Sequence, residues 1–200
     1  DFEKELAVIV ARNANGEMKT FPTVEMVFHP IHNLVEYLFS PAKISDDVEK
    51  GAQTLAKEVI SKLDMVGLLA IEMFLTKEGE LLVNEIAPRT HNSGHQTIEG
   101  NVTSQFEQHL RAICNWPLGD TETLKPSAMI NLLGEDGFTG DAVYEGMDLV
   151  LAKDGVHIHL YGKKLTKPFR KMGHITVCDN NLNRLEEKIN FVKSNLKVKA

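Results

Sequence analysis

Residues 83–100 read "VNEIAPRTHNSGHQTIEG", an apolar strand that breaks into a loop carrying Glu85, Arg89, His91, Asn92, Ser93 and His95, with Pro88 and Gly94 fixing its path. A solvated loop has no use for an acid, a guanidinium, two imidazoles, an amide and a hydroxyl within eleven positions; a site for a charged ligand does. Arg89 offers a planar fork of donors suited to phosphate or carboxylate. Asn92, Ser93 and the Gly94 backbone can form an anion-binding concavity.

The acidic half of such a site follows from strand pairing. "GLLAIEMFLT" and "LLVNEIA" are separated by Lys77-Glu78-Gly79-Glu80. A four-residue hairpin loop there sets Thr76 opposite Leu81 and, counting outward, Glu72 opposite Glu85. Partners of that kind have Cβ atoms about 4.5–5.5 Å apart on one face of the sheet. With Ala70, Phe74 and Val83 as apolar neighbours on that face, the two carboxylates need a shared proton, a basic side chain or a divalent cation. Magnesium takes hard oxygen ligands and is commonly held by one or two carboxylates plus substrate phosphates; the alternative is a wet face on which the two acids are harmless. A cation site beside an anion site is the arrangement phosphoryl transfer uses.

The elements that must position these groups follow from periodicity. "ELAVIVARN" and "GEMKTFPTVEMVF" flank Asn15-Gly16, which predicts an antiparallel pair closed by a type I′ turn. Residues 29–45 read as irregular. From Asp46, Val48, Ala52, Leu55, Val59 and Leu63 recur at helical spacing behind two acids. After the polar loop, Ser104 and Glu107 predict a capping box, with Phe106, Leu110, Ile113 and Cys114 as the buried stripe of a helix that Trp116-Pro117-Leu118-Gly119 ends. On this reading Cys114 is a buried structural thiol. "SAMINLL", "VHIHLY" and "HITVCD" predict three short strands, and a last helix runs from about Leu182 to Leu196 with Leu185, Ile189 and Val192 inward. The expected fold is α+β: an antiparallel sheet with flanking helices over residues 1–122, and a small strand-rich unit over 123–200, with the seam near Asp120 to Pro126.

Totals narrow the function classes. The 22 basic and 28 acidic side chains give a net charge of −6, and the scattered Lys and Arg leave no electrostatic footprint for nucleic acid. Runs such as "MVGLLAI" fall far short of the roughly 20 apolar residues of a membrane-spanning helix. Cys114 and Cys178 show no metal or redox spacing, and a reducing cytoplasm fits them. The chain enters a strand pattern at once, which reads as a cut through a larger protein.

"LLVNEIAPRTHNSGHQTIEGNVTSQFEQHLRAICNWPLG", with "FEKELAVIVARN", "GLLAIEMFLT", "HLYGKK" and "RKMGHITV" in order along the chain, resembles the carboxyaminoimidazole ribonucleotide synthetases, the ATPase subunits of phosphoribosylaminoimidazole carboxylase, within the ATP-grasp superfamily. The resemblance implies a cytoplasmic ligase of purine biosynthesis, homodimeric, in which ATP phosphorylates bicarbonate to carboxyphosphate. The amine of 5-aminoimidazole ribonucleotide then captures the carboxyl group, releasing ADP and phosphate. It further implies that Glu72 and Glu85 ligate Mg2+ beside ATP, that Glu5 contacts the ATP ribose and that His32 lies near its phosphates. Arg89, His91, Asn92 and Ser93 then handle bicarbonate and the ribonucleotide, whose phosphate Lys163 and Arg170 grip.

Departures accompany the match. Thr90 stands where the family usually has proline, loosening the restriction on Arg89. Ala87 stands where many superfamily members carry an asparagine ligand, and Asn84 reaches the glutamate face only if its strand bulges. Nothing in the chain corresponds to the family's nucleotide-fold domain or to the lobe whose lysines hold the ATP phosphates, so little turnover is expected from these 200 residues alone. His157 and His159 alternate as in a His-x-His metal site but read better as exposed strand histidines, and His174 reads as a support for Arg170 or its turn. Competing assignments are another ATP-grasp carboxylase or ribonucleotide ligase, and a non-catalytic binding or dimerisation module.

Overall fold

The computed structural model describes residues 2–28 and 35–200; His32 lies outside them. In chain order, strands β1 (Lys4–Arg12), β2 (Met18–Thr20), β3 (Val24–Phe28) and β4 (Val35–Ser40) precede helix α1 (Asp46–Lys62). Strands β5 (Gly67–Leu75) and β6 (Leu81–Ala87) lead into a 3-10 turn (Asn92–Gly94) and helices α2 (Thr97–Gly100) and α3 (Gln105–Ile113). The remainder comprises β7 (Ser127–Leu133), β8 (Gly140–Asp141), β9 (Val143–Glu145), α4 (Met147–Leu151), β10 (Val156–Leu160), β11 (Leu165–Thr166), β12 (Lys171–Cys178), α5 (Leu182–Asn195) and β13 (Lys197–Lys199). Nine strands form one sheet in the order β10-β12-β7-β4-β3-β1-β5-β6, with β2 beside β1. Its ladders are antiparallel, as the α+β reading requires. The sheet runs across residues 122 and 123 through the β4–β7 pairing.

Alternation along β1 and β5 divides the apolar residues between two layers. Val8, Val10, Leu69, Ile71 and Met73 pack on Ala52, Ala56 and Ile60 of α1. Ile9, Ala11, Leu68 and Ala70 face Ala112 of α3 and Leu118. A third layer joins β7, β10 and β12 to α5 through Ala128, Ile130, Ile175, Val177, Leu185, Ile189 and Val192. The expected inner side of α5 is therefore the observed one.

Several local expectations are corrected. Residues 35–40 are a strand, not irregular chain; the flanking Pro30 and Pro41 hide a six-residue pattern that pairs on both edges. In the first hairpin only Gly16 has positive φ, at 82°. Asn13 N–H donates to Glu17 O and Gly16 N–H to Asn13 O, so three residues close the loop around a left-handed glycine in place of a two-residue type I′ turn. Helix α1 buries Ala52, Ala56 and Ile60, while Leu63 is exposed. Ser104 does cap α3 by accepting from Glu107 N, but Glu107 turns its carboxylate to Arg111 and does not complete the box. The stripe of α3 is inverted: Phe106, Leu110, Ile113 and Cys114 are exposed, and Gln105, Gln108 and Ala112 are buried.

Candidate active site

Glu72 and Glu85 are directly opposed on β5 and β6, and the path to that pairing differs from the expected one. Thr76 N–H donates to Glu80 O, so the hairpin loop is one residue shorter than four and Leu75 faces Leu81. A register shift then follows between Glu72 and Met73, spanning Val83 to Glu85 on the partner strand. A β-bulge adds one residue to one strand, which restores the pairing the simple count reached. On the hairpin side of the bulge the shorter loop sets Val83 opposite Met73 and Leu82 opposite Phe74, so Leu82 takes the place expected of Val83 as the apolar neighbour. The bulge is the irregularity that Asn84 needed to approach the carboxylates.

Ala7 pairs with Glu72 and Glu5 with Phe74, so Glu5 lies on the same face two residues along. Burial first, then the charges of Glu85 and Glu5, push the Glu72 carboxyl up to about 7; Lys171 opposes the shift. Burial also raises Glu5. Nε2 of His91 approaches Glu72 Oε1 at 3.5 Å. One ligand atom from each of Glu72, Glu85 and His91 lies within 4.8 Å of the others. Magnesium bonds of about 2.1 Å allow two ligand oxygens to be at most about 4.2 Å apart, so a small rotation of the exposed Glu85 closes the pair on one ion. The crowded carboxylate set fits such an ion.

The signature loop is held from beneath by α3. Gln105, wholly buried, accepts from His91 N–H at 2.9 Å, donates to His91 O at 2.8 Å, and its amide nitrogen lies 2.9 Å from His95 Nδ1. Thr97 Oγ1 accepts from Gln105 N–H and donates to Gly94 O. A Cβ on Gly94 would sit 2.2 Å from Ile9 Cδ1 and 2.5 Å from Gln105 Oε1, so only glycine lets the loop lie this close to β1. Sequence reasoning passed over Gln105, because a polar residue opening a helix reads as solvent-facing.

The structure therefore brings Glu5, Glu72, Glu85, Arg89 and His91 to one end of the sheet, with Ser93 on the His91 ring. Arg89 is exposed and donates to Thr90 O; its charge acts on His91 and Lys171. Lys163 donates to the Lys171 carbonyl. Arg170 spends a guanidinium donor on Leu165 O. Lys171 was missed: its ammonium is lowered by burial, with Arg89 and Lys163 adding to the effect and Glu72 opposing it. The sequence reading took Arg170 from "RKMGH" and passed over its neighbour Lys171, the first residue of β12.

Behind the loop, three imidazoles stack. His174 lies 4.6 Å from His95 and 4.4 Å from His159 between ring centroids. His159 Nε2 is 2.7 Å from Glu99 Oε1, and Tyr161 Oη is 3.0 Å from His174 Nδ1. His174 was expected to support Arg170 or its turn; it is bonded to Tyr161 and stacks between His95 of the loop and His159 of β10. His159 is paired, and only His157 is the exposed strand histidine anticipated. A groove of about 530 Å³ lined by Val35, Asn131, Leu133, Phe169, Val192 and Lys197 includes none of the acidic pair.

Residues 1–106 match the family described as ATP-grasp domain, and residues 127–188 match the phosphoribosylaminoimidazole carboxylase C-terminal domain. The chain is 48% identical over 175 residues to N5-carboxyaminoimidazole ribonucleotide synthase of Bacillus subtilis, an alignment covering 88% of this chain and 44% of that protein. It is 40% identical over 196 residues to phosphoribosylaminoimidazole carboxylase of Saccharomyces cerevisiae, covering 96% and 34%. The crystal structure of N5-carboxyaminoimidazole ribonucleotide synthetase from Thermotoga maritima superposes with a TM-score of 0.93 at 52% identity, over all of this chain and 53% of that one. The Aspergillus clavatus synthase, in complex with ADP and 5-aminoimidazole ribonucleotide, gives 0.86 at 36% identity over 96% and 51%. The chain thus spans less than half of those two curated relatives and about half of those two solved chains. By its sequence and its sheet, the chain belongs to the ATP-grasp family.

Proposed function

We propose that this chain supplies the metal-binding and signature-loop half of an ATP-dependent ligase that carboxylates 5-aminoimidazole ribonucleotide. The observation that carries the reading is the opposed pair Glu72 and Glu85 beneath the Arg89–Ser93 loop. In the proposed reaction bicarbonate attacks the terminal phosphorus of ATP, giving carboxyphosphate and ADP. The ribonucleotide amine then attacks the carboxyl carbon, a carbon–nitrogen bond forms, phosphate leaves and the amine proton passes to solvent or to phosphate. Glu72 and Glu85 would hold Mg2+, which supplies Lewis-acid stabilisation of the transferring phosphate charge.

The residues of the chain provide orientation and charge. Arg89 is exposed, with one guanidinium nitrogen donating to Thr90 O, and its fork of donors suits bicarbonate or phosphate oxygens, whose charge such groups stabilise. Asn92 and Ser93 stand on a 3-10 turn whose path Gln105 fixes. Glu5 is assigned to the ATP ribose, His32 to the nucleotide phosphates, and Lys163 and Arg170 to the ribonucleotide phosphate, with Lys171 added beside Lys163. No side chain is assigned as a dedicated general base. The division into a unit of residues 1–122 and one of 123–200, a cytoplasmic location and a homodimer belong to the same reading; no helix of the described residues is long and apolar enough to cross a membrane.

Intact protein tests this directly. ADP release should require 5-aminoimidazole ribonucleotide and bicarbonate together; release stimulated by glycinamide ribonucleotide or biotin would assign another ATP-grasp ligase. Calorimetry of this chain with Mg-ADP and with the ribonucleotide separates a ligand-binding half-site from a purely assembling module.

A further inference from the structure

His91 lies within metal-ligand distance of both glutamates, yet the hydrogen bonds on its other nitrogen decide a different role. The Ser93 backbone N–H donates to His91 Nδ1 at 3.3 Å, so the imidazole caps the 3-10 turn, and Ser93 Oγ lies 2.9 Å from the same nitrogen. A main-chain N–H can only donate, so Nδ1 must present its lone pair. In a neutral ring the proton then resides on Nε2, the atom 3.5 Å from Glu72 Oε1. A protonated Nε2 has no lone pair for an ion. Its backbone cannot drift to offer another arrangement, because Gln105 grips both His91 N–H and His91 O.

We propose that His91 is a positioning residue: an Nε2–H donor that holds one oxygen of Glu72, leaving the other to the cation shared with Glu85. This rests on the reading of Glu72 and Glu85 as a cation-binding pair. The present separation is long for a hydrogen bond, as such contacts often are before ligand binds. The arrangement is that of a metal site whose ligating carboxylate is itself hydrogen-bonded, and loss of such partners weakens metal affinity about 10- to 100-fold.

Two measurements on this chain test it. Long-range 1H–15N NMR on the histidine-labelled chain should show His91 protonated at Nε2 and bare at Nδ1; the reverse tautomer overturns the proposal. Mn2+ binding, followed by water-proton relaxation, should weaken about 10-fold in His91→Leu and recover most of the loss in His91→Gln, whose amide places an N–H near the Nε2 position. Unchanged binding in His91→Leu, or no recovery in His91→Gln, would refute the positioning role. Wild-type chain that binds no Mn2+ would instead count against the cation-binding reading, while the tautomer still decides the donor assignment.

Discussion

Glu72 concentrates the electrostatic cost of the site: a largely buried carboxylate faces a second acid across the ladder and a third along the same face. Nearby ligand groups stored in repulsion are a common source of lost stability at functional sites. Glu72→Gln should therefore raise the melting temperature in EDTA by a few degrees, the effect of about 1 kcal/mol in a chain of this size. It should also abolish any further rise on adding Mg2+. Scanning fluorimetry with and without the ion reads both, and a fall in EDTA would mean that Lys171 already neutralises the acid. In intact protein, Glu85→Gln should depress turnover far more than it raises the ribonucleotide concentration required, since the residue acts on phosphate charge. These two acids were legible in the sequence because hairpin counting converts spacing into opposition. Lys171 was not, since one-residue precision in β12 depends on a register shift between Lys171 and Gly173 that spacing alone does not display.

At the scale of elements, the glutamate pairing survives because two deviations cancel: a hairpin loop one residue short and a bulge one residue long. Either alone would flip every following side chain of β6. Helix α3 shows where periodicity fails. Its apolar stripe points outward, and its buried side is built from glutamines whose amides have assigned work: Gln105 on the signature loop, and Gln108 accepting from Gly119 N–H while donating to Gly119 O. A pattern of apolar spacing cannot announce a buried amide that serves backbone. Two substitutions separate the sides. Leu110→Lys should change the unfolding free energy of this chain by no more than about 0.5 kcal/mol. Gln108→Leu, which strands both Gly119 groups, should cost about 1–3 kcal/mol, as measured by urea denaturation. Gly94→Ala should cost a comparable amount, about 1–3 kcal/mol, because its methyl would overlap Ile9 and Gln105.

At the scale of the molecule, one sheet carries both the acidic pair and the C-terminal strands, and the imidazole stack joins the signature loop to β10 and β12. Burial lowers His95 to about 4 and His174 to about 3, with the neighbouring histidine charges adding to both shifts. The groups facing them are His91, His159 with its partner Glu99, Tyr161 and Lys171. The sign follows from linkage. Below the ordinary histidine pKa of about 6.5 the unfolded chain takes up protons, while these folded rings stay neutral. Stability present above pH 6.5 is therefore lost as the pH falls, by up to about 1.4 kcal/mol per pH unit for each such ring. Asp179 does not confuse this window, because Lys188, the Asn181 N–H and Arg184 hold its carboxyl far below the usual carboxylate range. Glu72, raised to about 7, acts in the opposite sense, because its folded carboxyl takes up a proton before the unfolded one does, while His91, lowered to about 4, adds to the loss. Melting curves between pH 7.5 and 5 should therefore show a net loss of stability with acid, concentrated below about pH 6.5, and His174→Gln should flatten the slope whatever it does to the absolute value. Parallel slopes for the two proteins would show that the stack does not stay neutral in the fold, and that the loop and the C-terminal strands are joined by something other than stacked uncharged rings.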